Sequence, residues 1–366
     1  MQLIKNNNKN TIKNKFNLKI SNQEIKSKEL KVLCKQMSIL LKSGCEITRI
    51  LNILHEQSSK NLKTAIEEIS INIKNGNSIT ESFEKTNLFS SFFINMLLAG
   101  ELSGNLDKIM NDLSKYYDSE EKLKSKIISI SIYPIILIII SMISGFFILV
   151  FIIPNFQMIF ETNGINPPLL TKILLKLSVF IREKCIYIVF AVLTSILLIY
   201  YLVKYNSRAK YIKDKLKLKL PFIGEMMTLL ITTRFCKTLN ILFESGVNIV
   251  DSIDISSRVV DNILVYEKLS ISREYIRRGN NISYSISKSG VFPNSFISMI
   301  KIGEESGSLD NTLSVSSDFY SEKLDLKIEK TMKLIEPMIT VIIGLVIGLF
   351  IIAMVIPMFD AINSIQ

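Results

Sequence analysis

Several residue types that carry characteristic chemistry are scarce or missing in this 366-residue sequence. It contains no tryptophan, one histidine and four cysteines. The single histidine, His55, argues against a metal site or a general base built from imidazoles, because such metal sites need several ligands. The cysteines, Cys34, Cys45, Cys185 and Cys236, include no CxxC pair. They are therefore predicted to be reduced packing residues rather than a disulfide framework.

A phosphate-binding loop is also missing. No G-x-x-x-x-G-K-[ST] stretch occurs in the sequence, although nucleotide phosphates are usually cradled by such a loop and its lysine. In the glycine-containing G-E-E-S-G stretch at 303–307, glutamates occur where a phosphate-binding loop would need a lysine. We therefore predict that the protein is not an enzyme, binds no cofactor and does not hydrolyse ATP itself.

Long apolar runs, by contrast, are prominent in a chain that is 48% hydrophobic and 21% charged. Three runs lack any charge: Ile127–Ile153, Ile186–Val203 and about Pro337–Met358. Each is long enough to cross a bilayer, and a buried helix of a soluble protein would show a polar face over that length. The sequence predicts three transmembrane helices, of which the second is the shortest.

Positive charge sets the predicted orientation. The formal net charge of +11 has three competing explanations: nucleic-acid binding, attraction to anionic lipid, or loop charges that orient the spans. Lysine and arginine number 20 in residues 1–126, 4 in 154–185 and 20 in 204–333, with a dense basic run at 204–219 directly after the second span. This favours the third explanation, a multi-pass protein of the cell membrane with a cytoplasmic N-terminus and no direct nucleic-acid contact.

The chain also repeats itself. The stretch G-E-L-S-G-N-L-D at 100–107 returns 203 residues later as G-E-E-S-G-S-L-D, and Pro134 returns as Pro337. Earlier in the repeat the offset is 202, as Cys34 and Cys236 show, so one residue has been inserted or deleted in between. The unit of this parallel duplication is a cytoplasmic domain of about 100 residues followed by a span, a size typical of small domains.

Helical periodicity extends through each repeat, and strand alternation is lacking. Helices are expected at about 46–54, 62–74, 79–85 and 92–101, followed by a long helix that Asn105 or, in the second copy, Ser308 can cap. The fold class is thus an all-α membrane protein with two duplicated cytoplasmic helical-bundle domains and three transmembrane helices. The predicted segments are a flexible basic arm (1–25), domain 1 (26–126), span 1 (127–153), an extracytoplasmic loop (154–185), span 2 (186–203), a basic cytoplasmic linker (204–228), domain 2 (229–333), span 3 (334–358) and an extracytoplasmic tail (359–366).

The two G-E-x-S-G-x-L-D motifs supply the candidate site. One interpretation is a helix–turn–helix corner whose glycines provide positive φ or close approach. The other is a contact face for a partner, in which the glutamates pair with basic groups; a cation held by Glu101 and Asp107 is a further alternative. The candidate residues are Gly100, Glu101, Gly104, Asp107, Gly303, Glu304, Gly307 and Asp310.

Three residues mark the predicted membrane edge: Pro134, Glu336 and Pro337. Pro134 and Pro337 near the entries of their spans, and Pro154 and Pro357 near the exits, are expected to end or kink the helices. Glu336 is either hydrated at the interface or, since a carboxylate in lipid is costly, in contact with a partner protein or another helix.

Both motifs, the prolines at the ends of the first and third spans, and the duplicated layout resemble one family. It is the inner-membrane platform protein of type II secretion systems and type IV pili, called type II secretion protein F, with relatives in competence pseudopili. The resemblance covers about residues 28–360.

The resemblance implies a role in filament assembly. The family member couples a hexameric cytoplasmic ATPase to the extraction of pilins or pseudopilins and their addition to a filament, together with other inner-membrane components, and a homo-oligomer in contact with membrane lipid is implied. Alternatives from the residues alone are a small-solute transporter, for which three spans are few, and a membrane-anchored scaffold unrelated to pili.

Overall fold

The computed structural model describes residues 25–162, 167–221 and 223–363, and none of these residues lies in a β-strand. The predicted all-α class is confirmed. Nearly all of the basic arm, and residues 163–166 of the expected extracytoplasmic loop, lie outside the described residues. The described residues divide into two compact units, one within 25–123, 231–261 and 265–319, the other within 124–162, 167–221, 223–230, 262–264 and 320–363.

The first repeat forms a series of short helices and then enters a long one. The helices are α1 Ser27–Lys42, α2 Ile47–Gln57, α3 Lys60–Lys74, α4 Ile79–Lys85, α5 Ser91–Ser103 and α6 Leu106–Phe147. Local signals explain the boundaries. Gly44 adopts φ 77° after α1, and the Ser78 hydroxyl accepts a hydrogen bond from the Glu81 backbone N–H at the start of α4, in the Ser-x-x-Glu pattern of a capping box.

The second repeat reproduces these helices. They are α10 Ile223–Glu244, α11 Ile249–Val259, α12 Ile263–Arg277, α13 Ile282–Ser287, α14 Asn294–Glu305 and α15 Leu309–Asn363. The offset is 202 between α2 and α11 and 203 between α3 and α12. The extra residue therefore lies in the connection before α12, where 260–262 replace 58–59 and Asp261 takes a positive φ of 49°.

Both repeats contribute to the first unit, and they share apolar contacts there. Leu242 and Ile255 of the second repeat belong to the same buried cluster as Leu97 and Met110 of the first. Burial of aliphatic and aromatic side chains is the main stabilising term in such a cluster. The two repeats are therefore in contact through this cluster, although other buried residues of the second repeat, such as Phe235 and Phe296, lie outside it.

The apolar helices lie in the second unit or continue into it. Among the residues that the structure describes, three helices are long and apolar enough to cross a membrane, over Leu106–Phe156, Leu169–Leu202 and Leu309–Ile356. This confirms the three predicted spans. The segment expected to be a loop at 154–185 is instead helical in α7 (Ile153–Thr162) and from Leu169 onward in α8 (Leu169–Tyr205). Apolar residues at helical spacing, Leu170, Ile173, Leu174 and Leu177, continue through its second half.

Proline 154 coincides with a local change of helix type. Residues Ile148–Ile152 form a π turn between α6 and α7, and such turns relieve the clash of a proline ring with the carbonyl four residues earlier. The buried Ser178 hydroxyl of α8 donates to the Leu149 carbonyl in this turn. The prolines were expected either to end or to kink their helices. Pro134, Pro337 and Pro357 do not end them, because α6 and α15 continue through these residues.

Candidate partner-contact site

The first G-E-x-S-G-x-L-D motif forms the corner between α5 and α6. Gly104 ends α5 with a left-handed φ of 71°, a conformation that residues with a Cβ rarely adopt. Gly100 is a glycine for another reason, since an added Cβ would lie 2.9 Å from Ile109 Cγ1 and 3.2 Å from Leu106 Cδ1. The motif therefore lets α5 approach the start of α6 closely and turn into it.

The second motif repeats this corner between α14 and α15. Gly307 has φ 67°, and a Cβ on Gly303 would lie 2.7 Å from Thr312 Oγ1 and 3.2 Å from the Leu309 Cα. The neighbour is thus partly backbone here, whereas Gly100 faces only side-chain atoms. The second corner is therefore less able than the first to accommodate an added Cβ.

Glu101 caps a neighbouring helix. Its Oε1 accepts from the Ile79 backbone N–H at 2.7 Å, and its Oε2 accepts from the Thr80 N–H at 2.9 Å and the Thr80 hydroxyl at 2.5 Å. These are the free donors at the start of α4, where a negative charge is also favoured by the helix dipole. Partial burial raises the pKa of the Glu101 carboxyl, but the hydrogen bonds outweigh it and bring the pKa below its ordinary value.

Glu304 makes the same contacts in the second repeat. Its carboxylate accepts from the Ile282 N–H at 2.6 Å, the Ser283 N–H at 3.1 Å and the Ser283 hydroxyl at 2.7 Å. Both glutamates thus bind their own repeat at the start of its shortest helix. Their predicted pairing with a partner stays a prediction, and any such contact would share oxygens that are already hydrogen-bonded.

The two motif aspartates lie in the first turns of their helices, where the helix dipole stabilises a negative charge. Asp107 is half-buried at the start of α6 and Asp310 is exposed at the start of α15. No group of three or more His, Cys, Asp or Glu side chains able to hold a metal ion occurs among the residues that the structure describes. At the membrane edge, the side chain of Glu336 is exposed within α15.

A contact between the repeats was not foreseen from the sequence. Arg234 of α10 donates to both carboxylate oxygens of Glu120 of α6, at 3.1 Å from Nε and 2.6 Å from Nη2. The forked geometry makes this a strong charge-assisted pair. Nearby, burial lowers the pKa of Lys237, an effect that the charges of Glu120 and Asp318 oppose. One sequence signal for this contact was available. The residue of the first repeat equivalent to Arg234 is Val32, so the two repeats differ at this position.

A groove of about 780 Å³ lies between α5 of the first repeat and α11 of the second. Its lining includes Leu98, Ala99 and Leu102 on one side and Asp251 and Ile255 on the other. Leu102 is 79% exposed. The groove is of mixed character, since Asp254 and Arg258 also line it, and exposed leucines bordered by polar groups are typical of a place where another protein binds.

The equivalent face of α14 has a different character. Lys301, Ile302 and Glu305 occupy the positions of Leu98, Ala99 and Leu102, and Lys301 lies 3.7 Å from Glu305 in an i,i+4 ion pair. That face is typical of a solvated helix surface. The apolar face is therefore particular to the first repeat.

Comparison with known proteins identifies the duplicated unit. Residues 33–154 and 235–357 each match the family described as "Type II secretion system (T2SS), protein F". Together these stretches cover more than half of the chain. The chain belongs to the type II secretion system protein F family.

Relatives within this family carry two kinds of name. The type IV pilus assembly protein PilC of Thermus thermophilus is 30% identical over 342 residues, 93% of this chain and 84% of the relative. PilC of Pseudomonas aeruginosa is 32% identical over 286 residues, 77% of this chain and 75% of the relative. The type II secretion system protein F of Xanthomonas campestris pv. campestris is 29% identical over 279 residues, with 76% and 68% covered.

The protein F match delimits the repeated module in structural terms. Each matched stretch begins within α1 or α10 and ends in α7 or α15, so it contains one helical repeat and the apolar span that follows. Residues 155–234, which include α8 and end at Arg234, lie between the two matches. The family match therefore says nothing about the role of residues 155–234.

Proposed function

We propose that this protein is the membrane platform of a filament assembly machine of the type IV pilus or type II secretion kind. In this role it couples a separate hexameric cytoplasmic ATPase to the extraction of pilins or pseudopilins from the membrane and their assembly. The main support is that each protein F module joins a helical repeat to an apolar span through an unbroken helix. The proposal assigns this chain no catalytic step and no cofactor.

The proposal includes an orientation and an assembly state. Both repeats and the N-terminus lie in the cytoplasm, in keeping with the basic run at 204–219 beside the second span and the positive-inside rule. The protein works as a homo-oligomer beside a ring-shaped ATPase and other inner-membrane components. Whether the filament is a pilus, a secretion pseudopilus or a competence pseudopilus does not change this mechanism.

Continuous helices are the proposed route for force. α6 runs without a break past the boundary of the two compact units between Leu123 and Lys124. Just beyond it, in the second unit, Lys126 Nζ lies 2.9 Å from Glu329 Oε1 and 3.4 Å from Asp325 Oδ1 of α15. These ion pairs connect the two long helices, and in this proposal they supplement the helices themselves in passing on a displacement.

The groove between α5 and α11 is the surface through which, in this proposal, the ATPase acts. Leu98 and Leu102 are four residues apart on one helix face, which suits an apolar helix lying in a groove. The ion pair at the equivalent positions of α14 supports a specific use for the first repeat, because a duplicated helix without a partner can keep a charged surface there.

A flexible insertion tests the mechanical part of the proposal. A Gly-Ser insert of seven residues, about two helical turns, between Leu123 and Lys124 should abolish filament assembly while the protein still inserts in the membrane. An Ala/Glu/Lys-rich insert of the same length is the matched control, because it keeps the helix and its face. Normal filaments with the Gly-Ser insert would contradict rigid coupling.

Labelling from the two sides of the membrane tests the orientation. Cys34 and Cys236 are fully buried, and burial raises the pKa of both thiols, so they react slowly. With Cys45 and Cys185 replaced by serine, single cysteines at the exposed positions Ile71 and Ile271 report each repeat. An impermeant maleimide should label neither in intact cells and both after lysis. Labelling of either position in intact cells would overturn the orientation.

A further inference from the structure

The helix that follows the second span has a composition of its own. α9 (Ser207–Lys219) begins after one intervening residue, Asn206, whose side-chain oxygen accepts from the Arg208 N–H at 2.9 Å and caps the helix. The apolar stretch of α8 ends at Leu202. α9 is therefore held within a few residues of the membrane, whichever filament the protein assembles. Its basic residues are Arg208, Lys210, Lys213, Lys215, Lys217 and Lys219.

One face of α9 is used inside the protein. Asp214 is 4% exposed, and its carboxylate accepts from the Ile263 N–H at 3.1 Å, at the start of α12. Both residues belong to the second unit. This contact fixes the rotation of α9 about its axis, so the opposite face is determined.

The opposite face combines exposed apolar and basic side chains. Ile212 is 56% exposed and Leu216 is 55% exposed, one turn apart, and Arg208, Lys215 and Lys219 are exposed beside them. The spacing i, i+4, i+7, i+8 and i+11 places all five on one side of a helix. In the part of the chain that the structure describes, no carboxylate pairs with these three cations.

We propose that this face of α9 binds the surface of a bilayer that contains anionic lipids. Ile212 and Leu216 enter the headgroup region, and the three basic side chains contact lipid phosphates, as in helices that lie flat at a membrane interface. Each cation near an anionic surface strengthens binding about fivefold. Two apolar residues give little affinity alone, but the adjoining span already holds α9 at the bilayer. Because Asp214 caps α12, lipid binding also fixes the start of that helix near the membrane.

The absence of tryptophan provides a direct test. Ile212→Trp introduces a single fluorophore into the full chain, which is reconstituted in nanodiscs with brominated acyl chains that quench a tryptophan at the interface. We expect blue-shifted, strongly quenched emission in discs with anionic lipid and weaker quenching in zwitterionic discs. Ile71→Trp on α3, which is 53% exposed, is the control and should be unquenched in both.

Charge removal separates lipid recognition from burial of the apolar pair. Adding Arg208→Gln, Lys215→Gln and Lys219→Gln should weaken the attraction roughly a hundredfold and reduce quenching in anionic discs to the zwitterionic level. Lys28→Gln, Lys60→Gln and Lys63→Gln, at exposed positions of the first repeat, remove the same charge and should leave quenching unchanged.

Three results would overturn the proposal. The emission of the Ile212→Trp chain could match that of the Ile71→Trp chain in both lipids, which would mean that α9 lies in water. Its quenching could be equal in both lipids, which would exclude recognition of anionic headgroups. An added oligonucleotide could change the emission in zwitterionic discs as anionic lipid does, which would indicate a nucleic-acid surface. None of these outcomes bears on coupling to the ATPase, so this proposal can fail independently of the proposed function.

Discussion

The two repeats have the same order of helices and different surfaces. Their helices begin at equivalent residues, from α2 and α11 through α6 and α15, and Glu101 and Glu304 cap equivalent short helices with matching hydrogen bonds. Where the repeats face other elements they differ. Leu98 and Leu102 correspond to the pair Lys301–Glu305, and Val32 corresponds to Arg234, which binds Glu120.

This comparison separates residues that make the module from residues that give each copy its task. Corner glycines and capping glutamates recur because the fold needs them twice. The contact residues have diverged because the two copies occupy different places in one unit. Within a duplicated chain, a position where the copies differ is thus a better indicator of an interface than a shared motif.

Exchange of surface between the repeats should have the largest effect. Leu98→Lys with Leu102→Glu gives α5 the ion pair that α14 carries, and both positions are exposed, at 41% and 79%. We expect the protein to fold and insert normally but to lose co-purification with the ATPase and, with it, filaments on cells. The measurements are pull-down and electron microscopy of a deletion strain complemented with the variant.

The reverse exchange is the matched control. Lys301→Leu with Glu305→Leu removes a surface ion pair, which contributes about 0.5 kcal/mol at most, and filament assembly should persist. Normal filaments with the α5 variant would show that the groove is not the ATPase surface. A smaller oligomer with that variant would instead assign the groove to contacts between copies of this chain.

The corner glycines should differ in their tolerance of alanine. At Gly303 the added Cβ meets Thr312 at 2.7 Å and the Leu309 backbone at 3.2 Å, whereas at Gly100 it meets side-chain atoms that can move. We expect Gly303→Ala to lower the free energy of unfolding by about 3 kcal/mol and Gly100→Ala by about 1 kcal/mol. Thermal unfolding of the full chain in detergent measures both. Equal losses would mean that the two corners adjust alike.

The ion pair between Arg234 and Glu120 should contribute less to the free energy of unfolding than Gly303. Arg234→Met leaves the Glu120 carboxylate, of which 20% of the side chain is exposed, without its partner, at a cost of about 2 kcal/mol. Adding Glu120→Gln should recover part of this loss, because the unpaired charge is gone. Measured together, the two single variants and the double variant form a cycle that isolates the interaction. Additive losses would show that the pair does not couple the repeats.

The helices of the repeats were predictable because their signals are local. Expected helices at 62–74 and 79–85 correspond to α3 (Lys60–Lys74) and α4 (Ile79–Lys85), since apolar periodicity, caps and glycine stops lie within a few residues of each other. The duplication adds a second signal, because each helix boundary has an equivalent in the other repeat. The resemblance to the protein F family is likewise confirmed.

The features that escaped prediction depend on residues far apart in the chain. Glu120 and Arg234 are separated by 114 positions, and the groove needs α5 and α11 side by side. The glutamate caps link residues 21 and 22 positions apart, beyond any local pattern. The loop expected at 154–185 takes its bounds from the ends of the uncharged runs, whereas the helices α7 and α8 extend beyond those runs through charged residues such as Glu161 and Lys172.

The smallest expected effect concerns the two capping glutamates, and here the repeats should behave alike. Glu101→Gln and Glu304→Gln each weaken a cap and should lower the free energy of unfolding by about 1 kcal/mol. For Glu101 the effect should depend on pH. Its folded pKa lies below the ordinary value of 4.5, so its stabilisation is full above that value and is lost as the pH falls through the folded pKa. Melting temperatures of the full chain between about pH 6 and pH 3 should therefore converge for the wild type and Glu101→Gln on acidification. A constant difference over that range would mean that the hydrogen bonds, and not the charge, carry the cap.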